Sequence, residues 1–327
     1  MISEGVTMEI RSLSLKHDRE MIDAFYARAG IRLDRCVTKL YGAYEGEKLL
    51  ALGGVAGSAI RSLAVEENRQ GEGILPALVT HLYQTLKESG VKNVFVVTKP
   101  QYAELFSSLC FYELTRTNDA ALLESSNRAF SNYLKSLPKA DGAIVMNADP
   151  FTLGHRYLVE TAAAQCKRLN VFVLSADAAH VRADVRLQLV REGCRDLANV
   201  NVLAGGDYII SGATFPDYFF KDKTEAALAF ARLDATLFAA HIAPACGILT
   251  RFVGEEPLDP MTAAYNETLC AILPEHDVHV RVIPRKTIGE SPISASRVRA
   301  LWKEARYDEI APLVPETTLA YIREHAL

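Results

Sequence analysis

Gly142-Ala-Ile-Val-Met-Asn-Ala-Asp-Pro-Phe-Thr-Leu-Gly-His155 is the stretch that decides the fold of this chain. Ala143–Met146 is an apolar run of buried-strand length, and Pro150 stops it. The spacing predicts a helix over Arg156–Leu169. Outward from there the same rhythm repeats. Strands are expected at Val171–Ser175, Val200–Leu203, Leu249–Val253 and Val278–Ile283, and helices at Val185–Ala198, Thr224–Ala239, Thr262–Ile272 and Ser294–Ala305. Leu187, Val190, Cys194 and Leu197 fall on one helical face. Such alternation predicts a parallel sheet with helices on both sides. Ligands on such sheets bind beyond the carboxyl ends of the strands.

The opening stretch sits where an anion site belongs. A helix start offers unpaired N–H groups and a positive dipole end. Gly154 has no side chain, so the backbone can come close to a ligand. Thr152 and His155 are three apart and share a face of the first turn, so a hydroxyl and an imidazole can converge on one phosphate. The other reading of these residues is a helix capped by Thr152 with a surface histidine. A second helix start, Ile293-Ser-Ala-Ser-Arg-Val-Arg299, follows Pro292. Ser294 or Ser296 is a natural N-cap, while the forks of Arg297 and Arg299 suit phosphate oxygens. An ordinary capped amphipathic helix is the alternative here. Both elements, in this order at opposite ends of one sheet domain, point to a triphosphate held between them.

These two signatures resemble the nucleotidyltransferase superfamily. With Asp149–Glu160, Asp207–Pro216 and Phe252–Pro257 added, the chain is similar to the citrate lyase ligase family. The resemblance implies a Rossmann-like, parallel-sheet α/β nucleotidyltransferase domain over 139–327. It implies that ATP and acetate form acetyl-adenylate and pyrophosphate, with Mg2+ beside the phosphates. The acetyl group then passes to the thiol of the coenzyme-A-like prosthetic group on the citrate lyase acyl carrier subunit. Thr152, His155 and Arg299 carry the chemistry in this reading. Asn147, Pro150, Phe151, Gly154, Ser294, Ser296 and Arg297 bind ATP, and Gly254 and Glu255 meet the adenosine. Lys286, Asp207 and Thr214 are further candidates for substrate or phosphate. Asp149 stands where the family pattern leads us to expect Asn, and a carboxylate there repels phosphate unless magnesium bridges it. Asp217, Asp222 and Asp259 are candidate neighbours of magnesium, and the sequence does not choose among them.

Residues 1–130 read as a separate mixed α/β domain. Strands are expected at Met8–Leu13, Lys39–Tyr44, Lys48–Val55, Ser58–Val65, Val91–Thr98 and from Phe111. Helices are expected at Lys16–Ala29, from Gly73 to Glu88, and at Ala103–Leu109. Gln70-Gly-Glu-Gly-Ile-Leu75 before a helix, with Leu105–Tyr112, resembles acetyltransferases of the GCN5-related kind. That implies a cradle for a coenzyme A diphosphate, although Leu75 replaces the usual Gly or Ala. The alternative is a degenerate domain kept for structure or docking. Serines and asparagines over 125–140 predict a linker, with the boundary near Lys139.

Composition narrows the rest. The net charge is -4 and no Lys/Arg-rich run occurs, so nothing suggests a nucleic-acid partner. Apolar stretches meet charges before the roughly 18 residues of a membrane span, and the amino terminus lacks a signal-peptide pattern. Six scattered cysteines without a C-x-x-C pair point to a reducing cytoplasm. His276 and His279 lack companions for a zinc site and read as surface residues. Two rival functions remain open: an adenylyltransferase joining AMP to a phosphomonoester such as pantetheine phosphate, and a non-enzymatic nucleotide-binding module.

Overall fold

The computed structural model describes residues 8–175, 180–209, 215–220, 222–256, 259–289 and 291–326. It divides into two compact units, Met1–Ser131 with Pro216–Ala229, and Asn132–Phe215 with Phe230–Leu327.

The first unit contains β1 (Met8–Leu13), α1 (Arg19–Arg28), β2 (Lys39–Glu45), β3 (Lys48–Ala56), β4 (Ala59–Val65), α2 (Ile74–Glu88), β5 (Phe95–Thr98), α3 (Ala103–Ser108), β6 (Tyr112–Arg116) and β7 (Ala121–Glu124). The strands form one sheet in the order β1-β2-β3-β4-β5-β7-β6. All pairs are antiparallel except β4–β5, which runs parallel through Ala59↔Phe95 and Ile60↔Val96. One apolar cluster packs α2 and α3 on the sheet through Leu78, Leu82 and Phe106. Another packs α1 through Ile22, Phe25 and Tyr26. This is a mixed α/β layout. The strand expected over Val91–Thr98 begins only at Phe95.

The expected linker contains a helix, α4 (Ala129–Ser136), and the boundary between the units falls within it. Its hydroxyl-rich lead-in is a cap rather than a loop, because Ser126 Oγ accepts the Ala129 N–H at 3.0 Å.

The second unit continues with β8 (Gly142–Met146), α5 (Leu153–Ala163), β9 (Leu169–Val173), α6 (Ala183–Gly193), β10 (Val200–Ala204), α7 (Lys223–Leu237, its first half counted with the first unit), α8 (Ala243–Cys246), β11 (Thr250–Gly254), α9 (Pro260–Ile272) and β12 (His279–Ile283). A two-residue hairpin, β13 (Thr287–Ile288) and β14 (Ser291–Pro292), leads to α10 (Ala295–Lys303), α11 (Tyr307–Ile310) and α12 (Glu316–Glu324).

The sheet order is β10-β9-β8-β11-β12 and every pair is parallel. Alternate residues divide between its faces, as pleating requires. Ile144, Met146, Val171 and Val173 pack with Val159, Leu189 and Val190 of α5 and α6. Ala143, Phe172 and Val253 pack with Ala235, Phe238 and Leu269 on the opposite face. The strand order reverses between β8 and β11, which makes that junction the switch point where doubly wound sheets open a crevice.

Arg232 and Asp234 place charges inside the apolar helical run Lys223–Cys246, as the sequence leads one to expect. The run is long and apolar enough, by length and composition, to cross a membrane, and 61% of its most apolar window is buried within the protein. Phe238, Ile242 and Cys246 belong to the core against β8 and β9.

Candidate active site

Both helix starts form, and they meet. Thr152 is the N-cap of α5 in extended conformation. Its hydroxyl accepts the His155 N–H at 3.3 Å, and its own N–H donates to His155 Nδ1 at 3.1 Å. The pair is a reciprocal capping box with histidine in the third position. The capping reading of Thr152 is therefore realised, and His155 takes part in it.

That box sets the imidazole's tautomer. Nδ1 accepts a backbone N–H, so the ring proton sits on Nε2. Burial, helped by the nearby Arg285 and Arg299 guanidiniums, pulls the imidazolium down to about 4. His155 is thus a neutral donor, its ring stacked on Phe151 with centroids 5.9 Å apart.

Ser294 caps α10, accepting the Arg297 N–H at 3.2 Å, and its hydroxyl lies 3.2 Å from that of Ser296. Ser296 and Arg297 are exposed on the first turn. Val298, Leu301 and Trp302 turn inward against Val181, Ile310 and Ile322. Arg299 is half-buried and donates from Nη1 to the backbone carbonyl of Asp149, in the loop that precedes Thr152. Gly154 supplies the second link. A Cβ at Gly154 would stand 3.1 Å from the carbonyl oxygen of Ile293. The absent side chain makes room for the other helix start, where the sequence had suggested a ligand.

Asp149 is buried, and its carboxylate is committed within the protein. It accepts N–H bonds from Val181 at 2.8 Å and His180 at 3.1 Å, touches the His180 ring at 3.0 Å, and lies 3.8 Å from Arg299. Burial pushes its pKa up, but these hydrogen bonds and Arg299 outweigh burial and hold it below the ordinary carboxylate value. The repulsion expected of a carboxylate at this position is met by internal donors. Pro150 and Phe151 beside it are buried.

Asn147 ends β8. Arg186 Nη1 donates to its backbone oxygen at 2.8 Å and its side-chain oxygen at 2.6 Å, while Arg186 Nε donates to Val181 O at 2.9 Å. This leaves the amide nitrogen of Asn147 as the donor end of an exposed residue. Arg186 is fully buried and ties the end of β8 to the segment that leads into α6. Arg186→Met leaves the buried Val181 carbonyl and both Asn147 oxygens without this donor and should lower stability by roughly 2–4 kcal/mol. Urea unfolding tests this, and a change under about 0.5 kcal/mol, the range of an ordinary surface substitution, would refute it.

From β11 and β12 come Gly254, Glu255, Arg285 and Lys286. A Cβ at Gly254 would meet its nearest neighbour at 4.0 Å, so open space lies over it. Glu255 is exposed, and its carbonyl accepts from Arg285 Nε at 2.7 Å. Arg285 also pairs with Glu256. Lys286 Nζ lies 5.9 Å from the Tyr157 ring centroid, on the flank of α5.

Asp207 lies exposed beyond β10, the edge strand two places from β8, and no described contact brings it to the helix starts. Thr214 lies outside the described residues. The sequence reading passed over Arg285, Arg186 and His180, because a loop arginine, a helical arginine and a lone histidine carry no motif.

The doubly wound sheet, with two capped helix starts joined at its switch point, defines this unit as a Rossmann-like, parallel-sheet α/β domain. Residues 141–322 match the family model described as the citrate lyase ligase C-terminal domain. The chain is 36% identical over 334 residues to a citrate (pro-3S)-lyase ligase of Haemophilus influenzae, covering 98% of each chain. It is 37% identical over 314 residues to one of Escherichia coli, covering 92% of this chain and 89% of that protein. A ribosomal-protein-S18-alanine N-acetyltransferase structure from Escherichia coli aligns with 36% of this chain and 92% of its own, at 18% identity and a TM-score of 0.31. The chain belongs to the citrate lyase ligase family, and it is an enzyme of the acid–thiol ligase class.

Proposed function

We propose that this enzyme uses ATP to acetylate the thiol of the coenzyme-A-like prosthetic group on the citrate lyase acyl carrier subunit. Acetate attacks the α-phosphorus of ATP and pyrophosphate leaves; the thiol then attacks acetyl-adenylate and AMP leaves. The observation that carries this reading is the bond from Arg299, on the second helix start, to the Asp149 carbonyl in the loop leading to the first. One polyphosphate can then touch both.

In this scheme His155 donates from Nε2 to the α-phosphoryl oxygen as charge builds there. Thr152, whose hydroxyl is taken up by the cap, is the positioning residue that fixes the tautomer. Arg299, Ser296 and Arg297 hold the departing pyrophosphate, and the Asn147 amide adds a donor. The adenosine lies over Gly254, with Glu255 at its edge. No group on the enzyme forms a covalent bond, so catalysis is positioning and preorganised charge. Among the described residues no group of three or more His, Cys, Asp or Glu is placed to hold a metal. Magnesium is accordingly proposed only as the companion of the ATP phosphates, with no protein ligand assigned. A cytoplasmic setting accords with six free thiols.

The test is incubation with ATP, magnesium, acetate and deacetylated citrate lyase, scoring AMP and recovered lyase activity. The expected result is both, together with acetate-dependent exchange of labelled pyrophosphate into ATP. Exchange driven by pantetheine phosphate and indifferent to acetate would replace this reading with the adenylyltransferase one.

A further inference from the structure

Asp149 places a carboxylate against an imidazole at the edge of the site. Oδ2 lies 3.0 Å from His180 Nδ1 and accepts the His180 N–H at 3.1 Å, while Oδ1 accepts the Val181 N–H at 2.8 Å. The two backbone donors fix the carboxylate's orientation. An ionised carboxylate only accepts hydrogen bonds, so its contact with Nδ1 puts the proton on that nitrogen. In the neutral ring Nε2 is then the atom that can accept a proton. The carboxylate is 6% exposed and the His180 side chain 45% exposed, so the dyad has a dry anchor and an open end. The same Oδ2 lies 3.8 Å from Arg299 Nη1, which sets His180 beside the guanidinium assigned to the phosphates. His180 is not needed to bind ATP in the scheme above, and it lies on the segment between β9 and α6, at the carboxyl end of the sheet.

We propose that His180 is the general base of the second half-reaction and that Asp149 is its positioning residue. This rests on the acetyl-adenylate reading. A thiol with an ordinary pKa near 8.5 is mostly protonated at neutral pH, and its sulfur becomes a strong nucleophile as the proton leaves. The sulfur attacks the acetyl carbonyl carbon, and a C–S bond forms. The bond from that carbon to the phosphate oxygen breaks, and AMP departs as the phosphate anion. The thiol proton passes to His180 Nε2, and the imidazolium later releases it to water. Asp149 stabilises that imidazolium and holds the ring in the tautomer that accepts, as the carboxylate does in hydrolytic triads.

Two assays on the full chain separate the half-reactions. Acetate-dependent exchange of pyrophosphate into ATP reads the first, and transfer of labelled acetyl to deacetylated citrate lyase reads both. For His180→Ala and His180→Gln, transfer should fall about 10²–10³-fold further than exchange, the scale for loss of a general base. Added imidazole should restore part of the transfer in His180→Ala. Asp149→Asn should depress transfer more than exchange as well. Transfer that is undiminished, exchange and transfer that fall in parallel, or a transfer defect in His180→Ala that imidazole leaves untouched would each overturn the assignment. Wild-type protein with no acetate-dependent exchange would instead overturn the proposed function, so the two failures are distinct.

Discussion

His155→Ala should lower acetate-dependent pyrophosphate exchange by about 10²–10³-fold while leaving the KM for ATP within a few-fold, the signature of losing one donor that acts in the transition state. The ring is built into its surroundings by the capping box with Thr152, and its proton is directed through Nε2. Its neutral state has a pH consequence. Burial and the two arginines hold its pKa at about 4, against 6.5 for an ordinary histidine. The folded state therefore favours the neutral ring. The stability gained from that preference is complete above pH 6.5 and disappears as the pH falls toward 4. An acid limb of the exchange rate that is centred near 6.5 in wild type and lost in His155→Gln would contradict a neutral donor.

The second large effect is expected at Arg299. Arg299→Ala removes a charge from the pyrophosphate and a donor from the Asp149 carbonyl, so exchange should fall by about 10³-fold. Arg299→Lys should recover little of it, because an ammonium cannot span the carbonyl and a phosphate as a planar fork does. Inhibition by added pyrophosphate should weaken in both variants. Exchange rates within about tenfold of wild type in Arg299→Ala, a rise of at most about 1.4 kcal/mol in barrier, would remove the second helix start from the chemistry.

Much of this site could be read from the chain, because its parts are local. A strand, a proline stop, a hydroxyl cap and a histidine three residues on lie within one stretch, and the Ser294 cap repeats the pattern. The parallel sheet was visible for the same reason: each of its strands is a short apolar run followed by a helix. What stayed hidden depends on contacts between distant residues. Arg186 sits among helical charges and looks solvated, yet it is fully buried against Asn147 and Val181. Arg285 is one of two adjacent basic residues in a loop, and only the approach of β12 to β11 gives it the Glu255 carbonyl. The close approach of Ile293 that Gly154 permits was hidden because Ile293 lies far along the chain. Pro216–Ala229 is counted with the first unit, a long-range arrangement that no composition shift marks. Helix α5 begins at Leu153, ahead of the expected Arg156, because Thr152 rather than a later residue is the cap.

The most direct measurement is a crystal structure with a non-hydrolysable ATP analogue. The α-phosphate oxygens should lie within hydrogen-bond distance of His155 Nε2, and the β- and γ-phosphates should contact Arg299 and the first turn of α10. A nucleotide bound away from the β8–β11 junction, or touching just one of the two helix starts, would contradict the account.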